Sequence, residues 1–259
     1  MSGAEATLVL RLGGPLQSWG DRSMFNRRDT RPEPTKSGVL GLLAAAAGRS
    51  REEPPGDLLG LRLGVRVDQP GSLLRDYHTA SDHRGRPLPQ AGVSAKGLQR
   101  PTSPVKMTHV SQRFYLQDAV FLAALQGPAD FIATLAHAVS HPAFPLALGR
   151  RSCVPSQPLL LGIRETDLEE VLRTEPWQAT ATARDRIERR SRSATVDLSV
   201  TLDDPAGEDA FNDVPLSFAV RDRQFADRRV RHDWVSVPTG FADPDESANH
   251  HDPFALLGW

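Results

Sequence analysis

Apolar and polar positions fall into short blocks whose spacing changes along the chain. Leu8-Val9-Leu10-Arg11-Leu12 reads as a strand stopped by Gly13-Gly14-Pro15. From Ser37 to Gly48, Val39, Leu40, Leu42, Leu43 and a run of alanines predict a helix that is apolar almost all round, hence sandwiched. Gly38 and Gly41 each cost that helix about 1 kcal/mol relative to Ala, which suits close approach of its backbone to a sheet or a ligand. Leu61 to Val67 alternates cleanly and predicts a half-buried strand, and Asp68-Gln69-Pro70-Gly71 a turn. With Ser72 to His78 returning, the pair reads as a hairpin. Residues 79–104 carry many Gly and Pro and few apolar side chains, a long excursion expected to be mobile without a partner.

Order returns with Val105 to Gln126, a long strand region, and Ala129 to Ser140 has helical spacing that Pro142 ends. Leu146-Ala147-Leu148 and Leu159 to Ile163 flank a Gly-Arg-Arg-Ser-Cys segment. The sum, β-α-β-(β, excursion, β)-α-β, fits an α+β domain of ferredoxin-like, RNA-recognition-motif-like order over residues 1–165, with a basic thumb insertion at about 79–112. Residues 166–259 read as a smaller C-terminal β-rich extension. It holds a short acidic helix near 167–174, a charged run over 184–192 that suits a solvated face or loop, and strands near 194–202, 214–221 and 230–237.

Composition changes this picture less than charge distribution does. The chain of 259 residues has a net charge of −1, so the global balance says nothing about a polyanionic partner. Yet the segment between the first strand and helix sets Arg11, Arg22, Arg27, Arg28, Arg31 and Lys36 against Asp21, Asp29 and Glu33. Residues 75–113 hold seven basic side chains against Asp76 and Asp82, whereas residues 197–213 hold six acids and no base. Such segregation predicts a basic binding face and an acidic remainder. The helix following the first basic loop adds capping residues Thr35 or Ser37 and a positive dipole end that favours phosphate. Lys36-Ser37 does not complete a phosphate loop of the Walker type, because Thr30 and Thr35 stand where Gly is required. The lone Cys153 excludes a disulfide framework and a cysteine-based zinc site. With no signal peptide and no apolar run of membrane-spanning length, a cytoplasmic protein without a membrane partner is expected.

Four blocks then carry a resemblance. They are Gly14-Pro15-Leu16-Gln17-Ser18-Trp19-Gly20 behind the first strand, Pro34 to Leu43, Leu74 to Thr79, and Leu148-Gly149-Arg150-Arg151-Ser152-Cys153. Together, across residues 8–162, they resemble the CasD family, the subunit of type I-E CRISPR Cascade complexes that holds the 5′ handle of the crRNA. The resemblance implies a non-catalytic crRNA-binding subunit without a cofactor. Its partners would be a neighbouring backbone subunit and the large subunit, with target DNA met only indirectly through the complex.

Single-stranded RNA is held by cations on phosphates and by bases laid on aromatic or guanidinium planes. That chemistry selects Gln17, Trp19, Lys36 and Ser37 from the first two blocks and Arg27, Arg28 and Arg31 from the basic loop between them, with Trp19 equally suited to the core. Arg75, Tyr77 and His78 come from the third block, Lys106 and Arg113 from the excursion and its return, and Arg150 and Arg151 from the fourth. The competing class is a metal-independent endoribonuclease that processes precursor crRNA, as a related handle-binding subunit of type I-C systems does. Tyr77, His78, Lys106 and His109 offer the base, acid and cation that reaction needs. Tyr77 and His78 adjoin, and on one strand they would face opposite ways. His137 with His141, and His250-His251-Asp252, have metal-ligand spacing without a recognised metal motif, so no metal site is expected.

Overall fold

The computed structural model describes residues 4–20, 26–86, 92–93, 99–100 and 107–241, with backbone alone at 92–93 and 99–100. Strand β1 (Glu5–Gly13) is followed by two-residue strands β2 (Leu16–Gln17) and β3 (Arg27–Arg28), then helix α1 (Lys36–Ala46). A 3₁₀ turn at Gly56–Gly60 leads into β4 (Arg62–Gln69) and β5 (Ser72–Ser81). Short strands β6 (Gly92–Val93) and β7 (Gln99–Arg100) pair with each other before β8 (Thr108–Gln117) and β9 (Val120–Pro128). Then come α2 (Ala129–Ser140), β10 (Leu160–Arg164), α3 (Leu168–Thr174), α4 (Ala181–Arg190), β11 (Thr195–Asp203), β12 (Asp209–Ser217) and β13 (Gln224–Pro238). The mixed α+β character expected from the blocks is present.

Seven strands form one sheet in the order β10-β1-β9-β4-β11-β13-β12. The β-rich C-terminal third extends this sheet, because β11 hydrogen-bonds to β4 over Val200 to Leu202. Strand β1 lies inside the sheet, antiparallel to both β9 and β10. Its alternation therefore sorts between two cores. Leu8, Leu10 and Leu12 pack in the cluster that contains α1 and α2, while Val9 packs with Leu168, Val171 and Leu172 of α3. A third cluster, around Trp177, Leu198 and Val237, takes Ala183 and Ile187 from α4. The charged run at 184–192 is thus mostly a helix, solvated on the other side and with no fully buried residue.

The hairpin expected from 61–67 and 72–78 is corrected. β4 pairs with β9, and β5 pairs with β8 in a second sheet. The chain from 62 to 81 and the chain from 108 to 128 form one long antiparallel ribbon that bends between the sheets. The bend follows from local chemistry: Pro70 has no N–H to give, Gly71 sits at φ 71°, and Asp118 opposite sits at φ 55°. Any Cβ at Gly71 would lie 2.4 Å from the Gln117 carbonyl oxygen. The long strand region read over 105–126 is accordingly two strands. In the second sheet β8 is central, with β5 along one edge and β2 and β3 along the other.

Two buried charge clusters tie the layers together. Arg66 and Asp68, both fully buried, form a two-pronged pair at 2.8 and 2.9 Å. Arg66 also donates to the carbonyls of Leu172, Glu175 and Pro176, fastening the end of α3 to the sheet. The second cluster joins Lys36, Asp203, Asp213 and Arg228. Lys36 Nζ lies 2.7 Å from Asp203, Arg228 grips Asp213 with Nε at 2.6 Å and Nη2 at 3.0 Å, and a further Arg228 nitrogen contacts Asp203. Burial disfavours the Arg228 cation, yet the carboxylates of Asp213 and Asp203 hold its pKa above the ordinary value. Breaking a buried pair leaves a charge without its counterion, at a cost of about 3–5 kcal/mol. Asp203→Ala should therefore lose about that much unfolding free energy in a urea titration, whereas Asp233→Ala, on the exposed side of β13, should change it little.

Candidate nucleic-acid interface

Three sequence blocks that lie far apart in the chain, 14–20, 34–43 and 148–153, meet at α1, while the block 74–79 lies on β5. The segment 16–20 is stitched to the 148–153 loop, with Ser18 N–H donating to Leu148 O at 3.1 Å, and to β8, with Ser18 Oγ donating to Phe114 O at 3.1 Å. The 148–153 loop closes on itself through Leu148 N to Cys153 O and Cys153 N to Arg150 O, both 2.8 Å. Gly149 is required there. It sits at φ 86°, and a Cβ would fall 1.8 Å from the Ser18 carbonyl oxygen. Burial pushes the Cys153 thiol above its usual pKa, so this buried sulfur is a packing group and a poor nucleophile.

These elements border a cleft of about 1270 Å³. Arg28 of β3, Arg113 of β8 and Arg150 and Arg151 of the loop line it, together with Arg49 and Arg51 just after α1 and Arg223 before β13. Among the described residues, none that lines it is acidic. Gly41, Leu42, Ala44 and Ala45 of α1 contribute an apolar surface, and Phe144, Phe218 and Phe225 contribute aromatic rings. Arg150 is positioned from two sides. Its guanidinium lies 4.7 Å from the Tyr115 ring centre and its Nη2 donates to Arg28 O at 2.7 Å, while Nη1 is buried without an acceptor. Arg49 is committed to Asp57 through two hydrogen bonds, which raise its pKa.

Of the residues selected from sequence, Arg28, Ser37, Arg113, Arg150 and Arg151 line this cleft, and the buried Trp19 forms part of its wall. Arg49, Arg51, Arg223 and the three Phe residues were missed. A cation pair flanking Ser50 at a helix end was the available signal for the first two; Arg223 and Phe225 offered only a basic turn in the C-terminal third.

Three of the selected residues are corrected to structural roles. Gln17 is fully buried, donating to Leu12 O and Ala119 O at 3.0 and 2.7 Å and accepting from Trp19 Nε1 at 3.1 Å, so its amide is already engaged. Trp19 lies against α1, where a Cβ at Gly38 would come within 2.7 Å of its ring; this is the close approach that Gly38 permits. Lys36 is buried in its ion pair with Asp203. The N-terminus of α1 is likewise filled from within the protein. Thr35 Oγ1 accepts from Gly38 N at 3.2 Å and Asp213 Oδ2 accepts from Lys36 N at 2.7 Å, so the anion at this helix end is the Asp213 carboxylate.

The remaining residues divide by strand face. Directly paired residues share a face of a sheet. Asp76 opposes Arg113 and His78 opposes Ser111, so His78 shares the Arg113 face. Arg75 opposes Phe114 and Tyr77 opposes Gln112 on the other face, where Arg27 also lies with its guanidinium 4.8 Å from the Phe114 ring centre and its Nε on Asp29. Arg31 stacks on Phe211 at 3.8 Å, away from both. Arg22, Lys106 and the His250-His251-Asp252 cluster lie outside the described residues. His137 and His141 stack at 4.7 Å at the end of α2, and no group of three potential metal ligands occurs among the described residues.

Comparison with known proteins agrees with this architecture. A family model described as CRISPR-associated protein (Cas_Cas5) matches residues 7–231. The chain is 35% identical over 170 residues to the CRISPR system Cascade subunit CasD of Escherichia coli (strain K12), a match covering 60% of this chain and 70% of that protein. Among solved structures it is similar to a chain described as part of a CRISPR RNA-guided surveillance complex, with a TM-score of 0.68, 33% identity and coverage of 94% and 96% of the two chains. A second, described as a Cas protein, gives a TM-score of 0.64 at 37% identity, covering 90% and 98%.

Gly149→Ala should destabilise the protein by more than the roughly 1 kcal/mol of an ordinary left-handed strain, because it also drives the loop off Ser18; thermal denaturation measures the loss. Cys153 should resist an aromatic disulfide reagent in native protein and react at once in denaturant.

Proposed function

The chain belongs to the Cas5 family of CRISPR-associated proteins, and from that membership we propose that it is a subunit of a Cascade-type surveillance complex that holds the 5′ handle of the crRNA in the arginine-lined cleft. The observation that carries this reading is the cleft's charge: among the described residues, seven arginines from five separate chain segments line it and no acid does. RNA phosphates supply the counter-charge, and the apolar surface of α1 with Phe144, Phe218 and Phe225 suits unstacked bases. The strand order β10-β1-β9-β4, with α1 and α2 in one core beneath it, supports a ferredoxin-like, RNA-recognition-motif-like reading of residues 1–165. The β5–β8 ribbon, whose far end falls in the basic 79–112 segment, is then the thumb. The backbone and large subunits of the complex are its expected protein neighbours.

A non-catalytic role is supported by the third block. A cleaving site would need Tyr77 and His78 at one phosphate, and their alternation on β5 sends them to opposite faces. Incubated with its own repeat RNA in EDTA, the purified protein should leave the RNA intact. A single cut lost on His78→Ala would make it the processing endoribonuclease instead. Affinity for the handle RNA should fall steeply with salt, and replacing Arg113 and Arg223 by Gln should reduce the slope of log K against log salt by about 0.7 for each phosphate contact removed. Unchanged slope and affinity in that double variant would overturn the cleft as the RNA site.

A further inference from the structure

The face of the main sheet opposite α1 holds a second cavity, of about 430 Å³, that the RNA reading leaves unused. Arg11 reaches it from β1, on the same face as Val9, and Arg184 reaches it from α4. Trp177, Gln178, Thr180 and Ala181 complete the part that matters, and among the described residues none that lines it is acidic.

Arg11 is 8% exposed, and among the described residues its guanidinium makes one hydrogen bond, a long one of 3.3 Å from Nη2 to Gln178 O. Asp68 is the carboxylate that acts on it through space, but Asp68 is spoken for: its oxygens take Arg66 Nε and Nη2 and the Gln178 N–H. Burial lowers the Arg11 pKa below its ordinary value, with Asp68 opposing the shift. Arg184 stacks 5.2 Å from the Trp177 ring centre, donates Nη2 to Trp177 O, and keeps Nε buried with no acceptor. Among the described residues neither guanidinium forms an ion pair. Thr180 caps α4 by accepting from Ala183 N, so the helix's positive end, worth about half an elementary charge, faces the same cavity.

Two uncompensated guanidinium groups and a helix N-terminus match a dianion. A carboxylate would leave one cation unmatched in a partly dry site, whereas a phosphate group carries close to two charges near neutral pH. We propose that this cavity binds a phosphate group, free or at the end of a nucleotide, held by Arg11 and Arg184 at the N-terminus of α4. The site is separate from the RNA cleft and does not depend on it.

The test is a calorimetric titration of the full chain at constant ionic strength, with inorganic phosphate in one arm and a nucleoside 5′-monophosphate in the other. Saturable binding is expected. Arg184→Gln, on a helix whose other side is solvated, should weaken it about tenfold or more, the usual effect of losing a charged hydrogen bond. Arg184→Lys should fall between, because it keeps the charge without the fork. The Arg113→Gln, Arg223→Gln double variant should bind phosphate like the parent. Preference for inorganic phosphate identifies a free-phosphate site, and preference for the nucleotide identifies a terminal-phosphate site. No binding in either arm, binding indifferent to Arg184→Gln, or binding lost in the cleft variant would overturn the proposal.

Discussion

Much of the molecule depends on two carboxylates of the C-terminal strands. Asp203 and Asp213 meet Lys36 and Arg228 in a buried cluster whose formal charges cancel. Asp203 also accepts the Leu63 N–H at 2.9 Å, so the same group holds the start of β4. Without those carboxylates, α1 would present an unfilled N-terminus and a buried lysine to the interior, a far costlier arrangement than an apolar one. With them, the helix is fixed between the first sheet and the β12–β13 hairpin. That packing brings Phe218, Arg223 and Phe225 to the arginine cleft beside α1.

This cluster also reinterprets the charge segregation along the chain. The acidic stretch 197–213 is less a solvated remainder than a supply of internal counterions: Asp203 and Asp213 neutralise Lys36 and Arg228, and Asp204 takes Arg231. A chain with almost no net charge can therefore keep a cleft whose charged lining, among the described residues, is all cationic. Charge summed over a sequence window cannot reveal this, since it does not say which acids face inward.

The local elements were readable because each rests on short-range pattern. The apolar run of α1, the 3.6-residue spacing of α2 and the short acidic α3 all appear close to where the residues put them. What escaped was pairing. A turn-like Asp-Gln-Pro-Gly suggested a hairpin, yet β4 pairs with β9 and β5 with β8, from Ser81 with Thr108 out to Arg62 with Gln126, a choice made by the bend at Asp118 between β8 and β9. The cleft was half legible for a related reason. Arg150 and Arg151 sit in a motif block and Arg28 and Arg113 in stretches rich in basic residues, whereas Arg51 and Arg223 join them only through tertiary packing. Gln17, Trp19 and Lys36 show the opposite error: their chemistry suits RNA, but the fold turned those groups inward.

The contact between Lys36 N and Asp213 spans 177 residues of chain. A protein emerging from the ribosome is made from its N-terminus, so α1 must wait through most of translation before its terminal carboxylate arrives. Strand β4 waits equally for β11. A polypeptide interrupted before Asp203 would carry the motif blocks but not the counterions that set α1 in position. Synthesis thus completes the cleft last, when Arg223 and Phe225 join its wall.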